Sequence, residues 1–179
     1  MNFVLEMSAE VRISYIYASD ETWSKFEQAC DRLGWQSKAL IQQIIHSFFA
    51  KHKDFYCQAA LADAEARGMQ EQDYYVALKS GPDADLAPYK KHRPDFGSTP
   101  LAIIPDPEAS KENRRRYNMV TLSDFNYVLL HSAMLVERAN PVEIVSRIVA
   151  WHFIEYWERS YLPQIRHDDE HRFVLEGNT

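Results

Sequence analysis

The sequence predicts a mainly helical chain in which one strand–helix–helix unit occurs twice, at 11–56 and at 115–160. Three observations carry this. Sliding the chain against itself aligns Ser19-Asp20 with Ser123-Asp124, a displacement of 104 positions, and the match of apolar class then holds for about 45 residues without a gap. Each unit opens on a short run rich in β-branched and aromatic residues followed by a serine suited to cap a helix. Each unit closes on a helix whose apolar stripe is too wide for a single surface, so it needs burial on more than one side.

The strand candidates are VRISYIYA at 11–18 and RRYNMVTL at 115–122. Ser19 and Ser123 follow as N-caps, each with an aspartate in the first turn. The first helix runs from about 20 to 33, with Trp23, Phe26, Ala29, Cys30 and Leu33 at helical spacing, and Gly34 closes it. The copy lacks that glycine. Its turn is Arg138-Ala139-Asn140-Pro141, where Asn140 reads as N-cap, Pro141 as first helical residue and Glu143 as the third. The second helix of each unit carries the paired apolar positions Leu40/Ile41, Ile44/Ile45 and Phe48/Phe49, matched by Ile144/Val145, Ile148/Val149 and Phe153. It starts near 37 in the first unit and runs from 141 to about 161 in the second.

The organisation read from this is a first unit at 11–56, a linker at 57–114, a second unit at 115–162 and a charged tail at 163–179, with the two units forming one folded domain. The linker is helical to about 80, with Gly68 as a break, and irregular after Gly81, where prolines cluster. With 179 residues and 46% hydrophobic residues there is ample material for a core. The amino-terminal residues do not read as a secretory leader, and no apolar run reaches the roughly 18 residues of a membrane span. Cys30 and Cys57 lie in helical patterns and read as small core residues of a reducing compartment, so a cytoplasmic location is expected.

Strand, helix, short turn and helix in about 45 residues, with the spacing from Asp20 through Trp23, Phe26 and Leu33-Gly34 to Leu40-Ile41, resembles the ribbon-helix-helix family, the Arc and MetJ type of repressor. The resemblance implies a tandem pseudo-dimer: the two units of one chain supply the two strands of an antiparallel ribbon, beside a partly helical linker. It further implies a DNA-binding transcriptional regulator, a repressor that inserts the ribbon into the major groove of double-stranded DNA. The backbone at the start of each second helix would then clamp phosphate, at Gln36, Ser37 and Lys38 in the first unit and at Asn140 in the second, where Pro141 removes one N–H.

Which ribbon side chains point outward is left open by the residues. One phase exposes Ile13, Tyr15 and Tyr17 with Tyr117, Met119 and Thr121. The opposite phase exposes Arg12 and Ser14 with Arg116 and Asn118, better chemistry for bases, but turns Ile16, Val120 and Leu122 outward. A bulge can combine the two. The DNA-contacting set is therefore Arg12, Ser14, Tyr15, Tyr17, Arg115, Arg116, Asn118 and Thr121. Arg114-Arg115-Arg116 beside Lys111, and Lys90-Lys91-His92-Arg93 in the linker, are basic runs that suit phosphate or a solvated loop. Because the strands differ, such a pair would read an asymmetric site, and firm binding would call for several molecules side by side on the DNA.

A formal net charge of −6 opposes this reading on average, so a DNA-binding face must be locally basic. A different class of function is a protein-interaction or scaffold module on the same fold, supported by the acidic total and by Trp151, Tyr156 and Trp157. A third is an antitoxin whose linker or tail wraps a toxin. No Gly-rich phosphate loop, CxxC pair, HExxH or nucleophile elbow is present, so no enzyme activity and no cofactor are expected. His167 and His171, four apart, would share a helical face, but a solvated tail is the plainer reading and no metal is assigned. His46 and His152 read as packed or helix-facing side chains rather than ligands, and Asp83/Asp85 as loop acids.

Overall fold

A computed structural model describes residues 8–80, 94–102, 104 and 112–176. The described residues are mainly helical, with two short antiparallel two-stranded ladders that together make a small ribbon. In order come β1 (Ser8–Arg12), β2 (Tyr15–Tyr17), α1 (Asp20–Leu33), α2 (Ser37–Ala66), α3 (Glu71–Lys79), β3 (Arg114–Arg116), β4 (Met119–Ser123), α4 (Asp124–Glu137), α5 (Pro141–Tyr156), a π-helical turn (Trp157–Tyr161) and α6 (Leu162–Glu176).

The internal repeat is a repeat in three dimensions. A displacement of 104 takes α1 onto α4 residue for residue, and the start of α2 onto the start of α5. Ser19 Oγ accepts from Thr22 N at 3.1 Å and Ser123 Oγ from Asn126 N at 3.3 Å, so both first helices are capped in the same way. Gly34 ends α1 with φ 70°, and its equivalent Arg138 ends α4 with φ 53°. The turn demands a left-handed residue at this position whether or not glycine fills it.

The ribbon joins the units to each other. β1 pairs with β4, Val11 opposite Val120, and β2 pairs with β3, Tyr15 opposite Arg116. Both ladders share one register, which sets Ile13 opposite Asn118 and Ser14 opposite Tyr117. Behind the ribbon, Gln42 Nε2 donates to Thr121 O at 3.3 Å, while Tyr17 N donates to Ser146 Oγ at 3.1 Å. These contacts join positions 42 and 121 and their 104-shifted counterparts 146 and 17, as an approximate twofold axis through the ribbon requires.

The core draws on both units. Ile13, Ile16, Leu40, Ile41, Ile44, Phe48 and Phe49 are buried in one cluster with Leu130, Ala133, Ile144, Ile148, Val149 and Phe153, and Phe26 meets Phe153 edge-on across the axis at 6.2 Å. Neither unit encloses its own wide stripe, which explains why the second helices need two-sided burial. The first-unit boundary placed at 56 falls inside α2, which continues to Ala66. There Ala60 and Ala64 pack with Tyr74 and Leu78 of α3 in a second, smaller cluster. The segment read as a charged tail is α6. Ile165 is buried against the core, and Asp169 pairs with Arg32 of α1, so two anchors on one face hold a mostly polar helix in place. Among the described residues no helix is long and apolar enough to cross a membrane. Cys30 and Cys57 are half-buried free thiols.

His152, at the position equivalent to Phe48, is buried with Nε2 2.9 Å from the Tyr161 hydroxyl, and burial pushes its pKa down to about 4. Its ordinary value of 6.5 applies in the unfolded chain. The unfolded chain therefore binds the extra proton first, and stability present above pH 6.5 falls as the pH drops towards 4, by about 3 kcal/mol in total. Urea unfolding of the wild type between pH 7 and 4 should show this loss, and His152→Phe should flatten the slope. Equal slopes for the two proteins would show that His152 does not carry it.

Candidate nucleic-acid interface

The ribbon buries neither of the two simple alternations. Val11 and Ile13 point inward, and so does Ile16, three residues later; an odd interval cannot keep one face of a regular strand. The hydrogen bonds show how this is solved. Ile13 N donates to Asn118 O and Tyr117 N donates to Ser14 O, both at 3.0 Å. In a regular antiparallel ladder, opposed pairs alternate between bonded and non-bonded. Here two successive opposed pairs each supply a bond, so the ladder changes phase at the twofold axis. The outward set therefore mixes the two phases.

Arg12, Ser14, Arg116 and Asn118 are exposed on the outer face, and Tyr15 and Tyr117 are half-buried beside them. With Arg114 they line a depression of about 510 Å³. Among the described residues three guanidinium groups and no carboxylate line it, although the chain as a whole is acidic. The Arg114 guanidinium lies 5.4 Å from the centre of the Tyr15 ring, which holds it over the depression. Tyr117 donates through its hydroxyl to Lys38 O at 3.4 Å, so the start of α2 lies next to the ribbon; burial raises the Tyr117 phenol to about 12 and it stays neutral.

Of the ribbon residues read from sequence, Arg12, Ser14, Tyr15, Arg116 and Asn118 come together on this face. Tyr17 does not: it is buried and its N–H is taken by Ser146. Thr121 is half-buried opposite Glu10. Arg115 turns away to α1, where it pairs with Glu27 at 2.7 Å and lies 4.4 Å from the centre of the Trp23 ring. Sequence reasoning left Arg114 outside the contact set and missed Glu10, exposed on the same outer edge; starting the strand at 11 put Glu10 beyond its end.

The two clamp positions differ. Gln36, Ser37 and Lys38 are exposed, α2 has no side-chain cap bond, and no acidic residue occupies its first turn. Its first N–H groups thus have no partner within the helix. At α5, Asn140 Oδ1 accepts from Glu143 N at 2.9 Å, Pro141 has no N–H, and the Glu143 carboxylate sits in the first turn. The second start is closed to an anion.

Lys90, Lys91, His92, Arg93 and Lys111 lie outside the described residues, as do Asp83 and Asp85. His167 and His171 share a face of α6 with their Nδ1 atoms 2.9 Å apart. Among the described residues no group of three or more His, Cys, Asp or Glu side chains is placed to hold a metal ion. His46 is exposed and contacts Asn126 at 3.2 Å.

No family model, curated protein or solved structure matches the chain.

Proposed function

We propose that the chain is a DNA-binding regulator of the ribbon-helix-helix type, in which two units of one polypeptide form the pseudo-dimer and lay the ribbon in the major groove. The observation that carries this is the depression on the outer face, which Arg12, Ser14, Arg114, Arg116 and Asn118 line, among the described residues, without a carboxylate, on an acidic protein. Arginine makes bidentate bonds to guanine, asparagine to adenine, and serine bonds to either kind of base. A two-stranded ribbon fits the major groove, and the open start of α2 supplies phosphate contacts beside it. Several molecules side by side would lengthen the short footprint of one.

Fluorescence anisotropy with a pool of duplex fragments, repeated across a salt series, tests the reading. Binding that weakens steeply as salt rises is the expected result. Undetectable binding even at low salt would remove it. A second reading, a protein-interaction module on the same fold, draws on one observation: Val76 and Phe125, 60% and 54% exposed, line an apolar groove between α3 and α4. It predicts no duplex binding at any salt concentration.

The α2 start allows a separate prediction. Gln36→Asp supplies the missing N-cap and should stabilise the fold by about 1 kcal/mol, read as a higher urea midpoint. The same carboxylate occupies the clamp, so duplex binding should weaken while stability rises. Stability and binding that rise together would show that the α2 start does not meet phosphate.

A further inference from the structure

We infer that this protein reads its duplex in one orientation, because the two inner arginines of the ribbon are alike in its two halves and the outer residues are opposite in charge. The inference rests on the ribbon being the duplex-binding face. The 104-residue displacement takes Arg12 to Arg116, Ser14 to Asn118 and Glu10 to Arg114. The pseudo-twofold axis passes between Ile13 and Ser14 on one strand and between Tyr117 and Asn118 on the other, where the ladder changes phase.

Along the outer face the order is therefore Glu10, Arg12, the Ser14 and Asn118 pair, Arg116, Arg114, and all six are exposed. Glu10 lies opposite Thr121, and Arg114 lies opposite Tyr17. The two flanking residues on the partner strands thus carry no charge that would cancel either end. The inner arginines offer the same donor fork to each half-site and favour guanine in both. The outer positions cannot be satisfied by equivalent bases. A carboxylate accepts from the cytosine amino group and repels phosphate, whereas a guanidinium takes guanine or phosphate. A duplex that suits one orientation therefore presents the wrong partners at both outer positions when turned around. The substrate is a short duplex that is palindromic where the two inner arginines meet it and not at its outer contacts.

Selection of binding sites from a randomised duplex pool by the full chain tests this, alongside Glu10→Arg and Arg114→Glu. The wild type is expected to enrich a motif that is palindromic at the two arginine-contacted positions and differs at the outer ones. Glu10→Arg should make the outer positions alike and steepen the slope of log K against log salt by about one. Arg114→Glu should also make the outer positions alike, with a shallower slope. Either variant suffices if the other fails to fold. A wild-type motif that is palindromic throughout, or variants that enrich the wild-type motif unchanged, would overturn the single orientation while leaving duplex binding intact. No enrichment of any duplex by the wild type would overturn duplex binding itself, and the orientation with it.

Discussion

Replacing Arg147 by methionine is expected to lower the unfolding free energy by about 1–3 kcal/mol, the cost of leaving a buried acceptor without its charged partner. The Glu137 side chain is only 5% exposed at the end of α4. It accepts a hydrogen bond from the Tyr56 hydroxyl at 3.3 Å, and the Arg147 guanidinium stands 4.0 Å away. Arg147 in turn pairs with Glu143 at 2.9 Å, which anchors it along α5. Methionine fills similar volume without charge, so the loss reports the stranded carboxylate rather than a cavity. Adding Glu137→Gln should recover most of the loss, since a neutral amide still accepts from Tyr56 and needs no counterion. Urea unfolding of the wild type and both variants measures this. A single-variant cost below about 1 kcal/mol, or no recovery in the double variant, would show that the carboxylate does not depend on Arg147. The equivalent positions in the first unit hold Leu33 and Gln43, so the ion pair is a device of the second unit alone.

That contrast shows what the sequence makes legible. Helix starts are local events, and Ser19, Ser123 and Asn140 each cap as their neighbours suggest. The wide stripe of Leu40, Ile41, Ile44 and Ile45 predicts two-sided burial because no single surface can cover it. The strands are different. Which face of a two-stranded ribbon turns inward depends on what packs behind it, and Ile13 and Ile16 are both claimed by the core. Periodicity offers two phases and the chain uses one on each side of the axis, a choice that only the partner strand's hydrogen bonds define. The same limit applies to Arg115. It reads as a groove contact by sequence, but Trp23 and Glu27, about 90 residues away, draw it to α1. α6 was equally hidden, because Ile165 and Asp169 become helix anchors only once α1 and the core lie beside them.

Removing Arg12 and Arg116 together is expected to reduce duplex affinity by about 10- to 100-fold for each arginine and to erase base preference at the two inner positions. The pair is equivalent under the pseudo-twofold axis, both are exposed, and both line the outer depression. Neither packs in the core, so alanine at both sites should leave the unfolding midpoint within about 0.5 kcal/mol of the wild type. Stability unchanged with affinity lost separates a binding role from a folding one. The single variants should each relax preference on one side of the site only, because contacts to well-separated base pairs add almost independently. Arg115→Ala is the internal control: it loses its contacts to Glu27 and Trp23 and should affect stability more than it changes base preference. If alanine at 12 and 116 leaves duplex affinity and sequence preference unchanged while Arg115→Ala abolishes them, the face that meets the groove is not the one Arg12 and Arg116 share. A uniform loss across all sequences, with the salt slope shallower by about two, would instead make both arginines phosphate contacts.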